Sequence, residues 1–311
     1  MPGQKLAVSV VIPAYMAAGT LAQCLDSVLA AEVPSQSREI IVVDDGSDDG
    51  SARIAESRDI TVVRIPHSGR SAALNRGLER ATGDVVFFTD ADCRVPRDWF
   101  SALLAPLAED PALSGVGGNM LPVRINAVEV SKLLPYLDEF ARDLRLAGEY
   151  SGACLNGNNM AIRRPALQDV GGFDESFIHG ADADLTARLL AGGHLLLRIR
   201  HPVVAHLKRE RLWSFLRTRF VRGSTVRFEM KRGRYKAADL LRDLARIPRS
   251  FFASITGLGR LDALPVEVPS RAGWFAPVIS LLGEAVHWLG KVAFYRRFRA
   301  EASRSAGRES G

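Results

Sequence analysis

Between residues 7 and 109, short apolar runs alternate with amphipathic stretches, and this alternation restricts the fold more than any single residue does. Residues 7–12, 39–43, 60–65 and 84–88 read as strands, while 20–31, 50–57, 71–82 and 97–109 read as helices. Repeated strand–helix units predict an α/β fold, a Rossmann-like and mostly parallel sheet flanked by helices on both faces. Such sheets bind ligands beyond the carboxyl ends of their strands. Two of the runs end there in acids. Ile40–Val43 leads into Asp44-Asp45-Gly46-Ser47-Asp48-Asp49-Gly50, and Val85–Phe88 leads through Thr89 into Asp90-Ala91-Asp92. Turn chemistry accounts for Asp48 to Gly50. The paired carboxylates of Asp90 and Asp92 either form a solvated turn before the helix near Pro96 or offer hard oxygens to Mg²⁺ or Mn²⁺.

A third element, Gly69-Arg70-Ser71-Ala72-Ala73-Leu74-Asn75-Arg76-Gly77, opens the helix that runs to about Ala81. Arg70 at its start is either a solvated loop arginine or a partner for phosphate oxygens, which a guanidinium pairs well. Further on come Asn158-Asn159-Met160-Ala161-Ile162-Arg163-Arg164, then Gly171-Gly172-Phe173-Asp174-Glu175, then Asp182-Ala183-Asp184-Leu185 with Arg188. With Val10-Val11-Ile12-Pro13-Ala14-Tyr15 at the start, these segments in this order resemble the family 2 glycosyltransferases of the GT-A fold. The resemblance covers residues 7 to about 223. It carries more weight than any one motif because five motifs agree in order and spacing.

That resemblance implies transfer of a hexose-type sugar from a nucleotide diphosphate sugar, with inversion and with a divalent cation. Pro13, Tyr15, Asp44, Asp45, Arg70, Asn75, Asp90 and Ala91 would line the donor site. Asp44 or Asp45 would hold base and ribose, with a uridine donor favoured. Asp92 would bind the cation, and Asp182 would be the general base. Asn158, Asn159 and Gly172 would lie on the acceptor side. His206, after Pro202-Val203-Val204-Ala205, either completes the metal shell or is simply hydrogen-bonded.

The chain departs from the pattern at Ala181, where the family commonly has Glu before the catalytic Asp. A second reading is therefore a sugar-nucleotide-binding scaffold that has lost catalysis. Asp184 reads as a helix N-cap for Leu185 to Leu190. Processive relatives carry Q-x-x-R-W where this chain has Arg219-Phe220-Val221-Arg222-Gly223, so one sugar or a few would be added. A nucleotidyltransferase is disfavoured, because Pro13-Ala14-Tyr15 replaces the glycine-rich loop such enzymes place after the first strand.

The expected organisation is a GT-A domain over 1–210, with 1–115 as the nucleotide-sugar-binding half and 116–210 as the acceptor and catalytic half. A helical, basic C-terminal extension over 211–311 follows. Beyond Ser114 the pattern loosens into a helix over 126–147 and glycine-rich loops near 152–158 and 171–180. At 311 residues, 47% apolar and 24% charged, the chain can bury one large α/β core with an appendage. Cys24, Cys93 and Cys154 have no metal-ligand spacing and read as reduced thiols of a cytosolic protein, and no signal peptide is visible.

The charge is uneven. Residues 1–197 carry 17 Lys+Arg and 26 Asp+Glu, whereas 198–249 carry 16 and 4, a net +12. That surface would meet something anionic, such as a lipid-linked acceptor or lipid headgroups at the cytoplasmic membrane face, in cell-envelope glycan synthesis. No recognition helix or aromatic signature points to nucleic acid. The helical segment from Trp213 to about Arg232 interleaves aromatics with arginines. In Trp274–Tyr295 the polar residues Ser280, Glu284, His287 and Lys291 form one stripe on a helix. That helix either lies in a membrane interface or packs on protein.

Overall fold

The computed structural model describes residues 6–34, 37–58, 60–123, 125–134, 137, 140, 142–177, 179–207, 211–223, 226, 230, 235–258, 261 and 268–309. The chain forms two compact units, Met1–Val123 with Glu139–Lys208, and Arg124–Asp138 with Arg209–Gly311.

The first unit begins with β1 (Val8–Ala14), α1 (Leu21–Ala30), β2 (Arg38–Asp44), α2 (Ser51–Glu56), β3 (Thr61–Arg64), α3 (Arg70–Arg80) and β4 (Val85–Phe88). As the alternation predicts, β3, β2, β1 and β4 are parallel neighbours in that order. Every residue of β1 and β4 is buried, because each strand is covered on both faces. Val10, Ile12, Val42 and Phe87 face one apolar cluster with Leu21 and Leu25 of α1. Val11, Ile41, Val43 and Phe88 face the other with Leu74 of α3. The period-2 alternation of strand side chains sorts them. Gly77 lets α3 lie directly on β1, since a Cβ there would sit 2.3 Å from Val11 Cγ1.

The sheet continues through β5 (Cys93–Arg94), α4 (Trp99–Glu109), β6 (Leu113–Pro122), β7 (Leu144–Leu146), β8 (Met160–Arg163), α6 (Arg164–Asp169), α7 (Ala181–Ala191) and β9 (Leu195–His206). The nine strands run β3-β2-β1-β4-β8-β6-β9-β5, with β7 beside β9. Antiparallel pairing enters with β8, which lies between β4 and β6, and recurs at β5–β9 and β7–β9.

Of the helix expected over 126–147, the described residues show 127–133 as helix and 144–146 as strand, while 135, 136, 138, 139 and 141 lie outside them. Asn126 caps α5 (Ala127–Leu133) by accepting from the amides of Val128 and Glu129 at 2.8 and 3.0 Å. Leu144 to Leu146 instead pairs antiparallel with β9.

The second unit holds α5, α8 (Leu212–Arg222), α9 (Ala237–Gly257) and α10 (Ser270–Glu309), with α10 packed against the other three. The segment expected to be helical to about Arg232 forms α8, and most of its remainder, including Phe228, lies outside the described residues. The polar stripe of α10 turns inward. Ser280 meets Ser254 at 3.1 Å, Glu284 pairs with Arg219, His287 Nδ1 lies 3.1 Å from the Arg219 carbonyl, and Lys291 donates to Asp243 at 2.7 Å. Protein packing, not an aqueous face, accounts for the stripe. Among the described residues, no helix is long and apolar enough to cross a membrane.

Candidate active site

Strand ends assemble the site. β1 delivers buried Pro13 and then exposed Tyr15, whose ring stacks on His67 with centroids 4.0 Å apart. His67 Nδ1 lies 2.9 Å from Asp45 Oδ2. The Asp45 carboxylate is buried and also accepts from the amides of Ser68 and Gly69 at 2.7 and 2.9 Å. Asp45, expected at the donor, is thus occupied in shaping the loop that starts α3, because two backbone N–H groups and an imidazole converge on it.

Its neighbour Asp44 is different. Asp44 is buried, yet its Oδ1 has no hydrogen-bond partner among the described residues. It lies on the wall of a cleft of ≈ 460 Å³ with Gly46, Ser47, Arg53 and Arg64, at the carboxyl ends of β2 and β3. A buried carboxylate oxygen left without a donor is costly unless a ligand satisfies it.

From the end of β4 the chain passes Asp90, Ala91 and Asp92 before β5 folds back on β9. The register sets Cys93 opposite His206, and the Leu207 amide donates to the Asp92 carbonyl at 2.8 Å. This local pairing leaves His206 Nε2 3.5 Å from Asp92 Oδ2. One carboxylate and one imidazole make a donor set that Mn²⁺ accepts. Among the described residues no third His, Cys, Asp or Glu joins them. Two protein ligands nevertheless fit a cation of the kind that fills its shell with phosphate oxygens and water. Ala91 is buried in the core and presents no side chain to a ligand.

Asp90 does not join that pair directly. Its Oδ1 accepts from Arg70 Nε and Nη2 at 2.9 and 2.7 Å. Arg70 Nη2 also donates to the Gly157 carbonyl at 3.0 Å, and the Gly157 amide donates to Asp182 Oδ2 at 3.3 Å. One guanidinium therefore links the ends of β4 and α3 to the loop that meets Asp182. Burial raises the Asp90 carboxyl above its ordinary range; Arg70 opposes this and the nearby Asp92 charge adds to it. Burial works against the charge of Arg70, but Asp90 and Asp182 outweigh it and hold the guanidinium protonated.

Asp182 occupies the first turn of α7, whose N-cap is Gly180. Asp184 is not the cap. It lies inside the helix, buried, and pairs with Arg188 Nε at 2.7 Å, because α7 begins four residues earlier than the apolar pattern suggests. Ala181 is buried in the cluster holding Phe173, Leu185 and Leu189. A glutamate there would lose solvation among apolar neighbours, so alanine suits this site.

Three expected binding residues are structural ties. Asn159 is fully buried; its Oδ1 accepts from Trp99 Nε1 at 2.8 Å, and its Nδ2 donates to the carbonyls of Asn119 and Pro202 at 2.7 and 2.9 Å. Asn75 Nδ2 donates to the Phe173 carbonyl at 2.8 Å and to Glu175 at 3.0 Å, while its Oδ1 accepts from the Phe173 amide at 2.8 Å. Gly172, at φ +69°, completes this turn; a Cβ would come within 2.7 Å of Asn75 Oδ1. Asn158 is half-buried, and its Oδ1 is buried without a partner among the described residues.

Sequence reasoning passes over His67 and Gly157. Their only local signal is position, just before Gly69-Arg70 and inside the glycine-rich loop. The thiols add no nucleophile. Burial pushes Cys24 and Cys93 up, so both stay protonated.

The model of the family described as glycosyl transferase family 2 matches residues 9–171. The chain is 31% identical over 269 residues to the pre-mycofactocin glycosyltransferase of Mycobacterium tuberculosis, covering 84% of this chain and 56% of that protein. It thus spans about half the length of that relative. Among solved structures, it is similar to the mannosyltransferase PcManGT from Pyrobaculum calidifontis, solved with GDP-Man and Mn²⁺ (TM-score 0.60, 22% identity, 93% of this chain and 89% of that one). It is also similar to residues 1–349 of TarS from S. aureus, solved with UDP-GlcNAc (TM-score 0.55, 14% identity, 93% and 92%). These two likenesses agree with the GT-A architecture of the sheet. With the strand-end carboxylates in the order of the family's motifs and its model matching more than half the chain, the protein belongs to glycosyl transferase family 2.

Proposed function

We propose that the chain transfers a sugar from a nucleotide diphosphate sugar, UDP-sugars being favoured, to an acceptor hydroxyl on a lipid-linked or cell-envelope glycan, with inversion. The observation that carries this reading is the hydrogen-bonded path from Asp90 through Arg70 and Gly157 to Asp182, beside the Asp92–His206 pair. It gathers anion-binding and proton-accepting groups at one strand edge.

In this reading Asp44 satisfies its orphaned oxygen on the base or ribose of the donor, beside Tyr15. Asp92 and His206 hold Mg²⁺ or Mn²⁺. When bound, the cation offsets charge on the leaving diphosphate. Arg70 supplies a fixed positive charge to the same group. Asp182 accepts the proton of the acceptor hydroxyl as its oxygen bonds to the anomeric carbon. The bond from that carbon to the diphosphate oxygen breaks on the opposite face, and its electron pair leaves with the nucleoside diphosphate. The transferase domain, expected over 1–210, corresponds to the unit of 1–123 with 139–208, since 124–138 joins the unit that holds the basic extension 211–311; one sugar or a few are added. A lipid-linked acceptor requires the enzyme at the cytoplasmic face of a membrane.

Calorimetry with UDP-, GDP- and dTDP-sugars, with and without Mn²⁺, tests the donor site. Cation-dependent binding of one donor class, followed by transfer with inverted anomeric configuration, supports the proposal. Absence of binding by any donor in well-folded protein overturns it. Donor binding without turnover, unchanged by Asp182→Asn, would leave the scaffold reading.

A further inference from the structure

In the second unit, two helices turn a polar stripe inward and leave a row of large apolar side chains exposed. On α10, Ser280, Glu284, His287 and Lys291 are spent on α8 and α9. On the opposite side, Trp274, Phe275, Val278, Leu282 and Leu289 are exposed, Trp274 at 82%. At about 100° per residue these five fall on one face about 100° wide, centred about half a turn from the polar stripe. The same holds on α9. Leu241, Leu244, Phe252 and Ile255 are exposed along one face, Leu241 at 69% and Phe252 at 65%. Its polar ties, Asp243 and Ser254, point to α10 instead.

Exposed apolar area on this scale marks a surface that something covers. The charge around it identifies what. Arg242, Arg246 and Arg249 are exposed on α9 beside its apolar face, and Arg271, Arg296 and Arg297 are exposed on α10 on either side of its apolar stretch. On α8, Trp213 is 79% exposed, next to the exposed Arg211. Apolar faces edged by arginine match a bilayer interface, where acyl chains take the apolar side chains and phosphate headgroups take the guanidinium groups. A protein partner of ordinary surface composition gives no reason for the arginine border.

We infer that the exposed apolar faces of α9 and α10 dock the second unit into the surface of an anionic phospholipid bilayer, as an interfacial platform that does not cross it. The apolar side chains sit among the upper acyl chains, and the flanking arginines pair with headgroup phosphates. This deepens the membrane-face reading of the acceptor, yet docking is measured without turnover, so either can fail alone.

The test is co-sedimentation of the full chain with vesicles of phosphatidylcholine, or of phosphatidylcholine mixed with phosphatidylglycerol. The wild type sediments with the mixed vesicles and far less with phosphatidylcholine alone. The triple substitution Leu241→Ser, Phe252→Ser, Trp274→Ser lowers the bound fraction by at least about tenfold. Arg242→Gln, Arg246→Gln, Arg249→Gln weakens the preference for the anionic lipid. Brominated lipid quenches the tryptophan fluorescence of the wild type, a readout that holds even if a variant misfolds. Absence of vesicle binding and of quenching overturns the inference. So does a wild-type oligomer that the apolar triple variant dissolves, which would make a second copy of the chain the occupant.

Discussion

Arg70 grips Asp90 through a single oxygen: Nε and Nη2 both donate to Asp90 Oδ1, at 2.9 and 2.7 Å. The same guanidinium reaches the carbonyl of Gly157, so one side chain ties the carboxyl end of β4 to the loop touching Asp182. Arg70→Ala is expected to lower kcat/KM by at least about 100-fold, and Arg70→Lys to recover only part of it, because an ammonium cannot reproduce the planar fork. Steady-state kinetics with the donor selected by calorimetry checks this.

Asp182→Asn keeps the shape of the side chain and removes its basicity. Turnover is expected to fall by about 10²–10⁴-fold while donor affinity stays within about twofold. An unchanged rate would remove Asp182 from the chemistry.

Asp92 and His206 are expected to share the cation. Asp92→Ala abolishes the Mn²⁺ dependence of donor binding, and His206→Ala weakens it by at least about tenfold, about 1.4 kcal/mol. Calorimetry before and after chelation reads both. A His206→Ala protein with wild-type Mn²⁺ response would return His206 to a hydrogen-bonding role.

Glu39 provides a pH-dependent test of the fold. Burial alone would raise its carboxyl, but the hydroxyl of Ser9 and both the amide and hydroxyl of Thr82 donate to it and hold it below its ordinary value. A depressed carboxylate contributes stability above its unfolded pKa and loses it as pH falls through the folded value. Glu39→Gln should therefore cost about 0.5–1.5 kcal/mol near neutral pH, because solvent screens a partly exposed carboxylate. The gap should narrow below about pH 4. Urea midpoints at several pH values decide it.

Asn159→Ala separates a structural tie from an acceptor contact. The substitution strands the Trp99 indole N–H and two buried carbonyls, so stability should drop by about 2–5 kcal/mol. Donor affinity of the folded protein is expected to persist. A kinetic defect with no change in thermal midpoint would instead put Asn159 at the acceptor.

The parallel nucleus was legible in the residues because its signals are local. Doubly covered strands must be continuously apolar, helices between them must repeat near 3.6 residues, and acids clustered at strand ends announce a ligand edge. Local patterns marked Arg70, Asp90 and Asp92, and the family resemblance pointed to Asp182 and His206; the tertiary structure brought all five into two adjoining contacts. Partner choice was not legible. Asn75 and Asn159 look like ligand-binding amides in one dimension, yet strands and turns far away in the chain use up their hydrogen bonds. Nothing near Asp45 says that three groups of the 67–69 loop will converge on it while Asp44 stays open. The polar stripe of α10 shows the same division. Spacing alone put Ser280, Glu284, His287 and Lys291 on one face, but only packing against α8 and α9 decided that this face points inward, because a helix carries its periodicity in its own residues and its orientation in those of its neighbours.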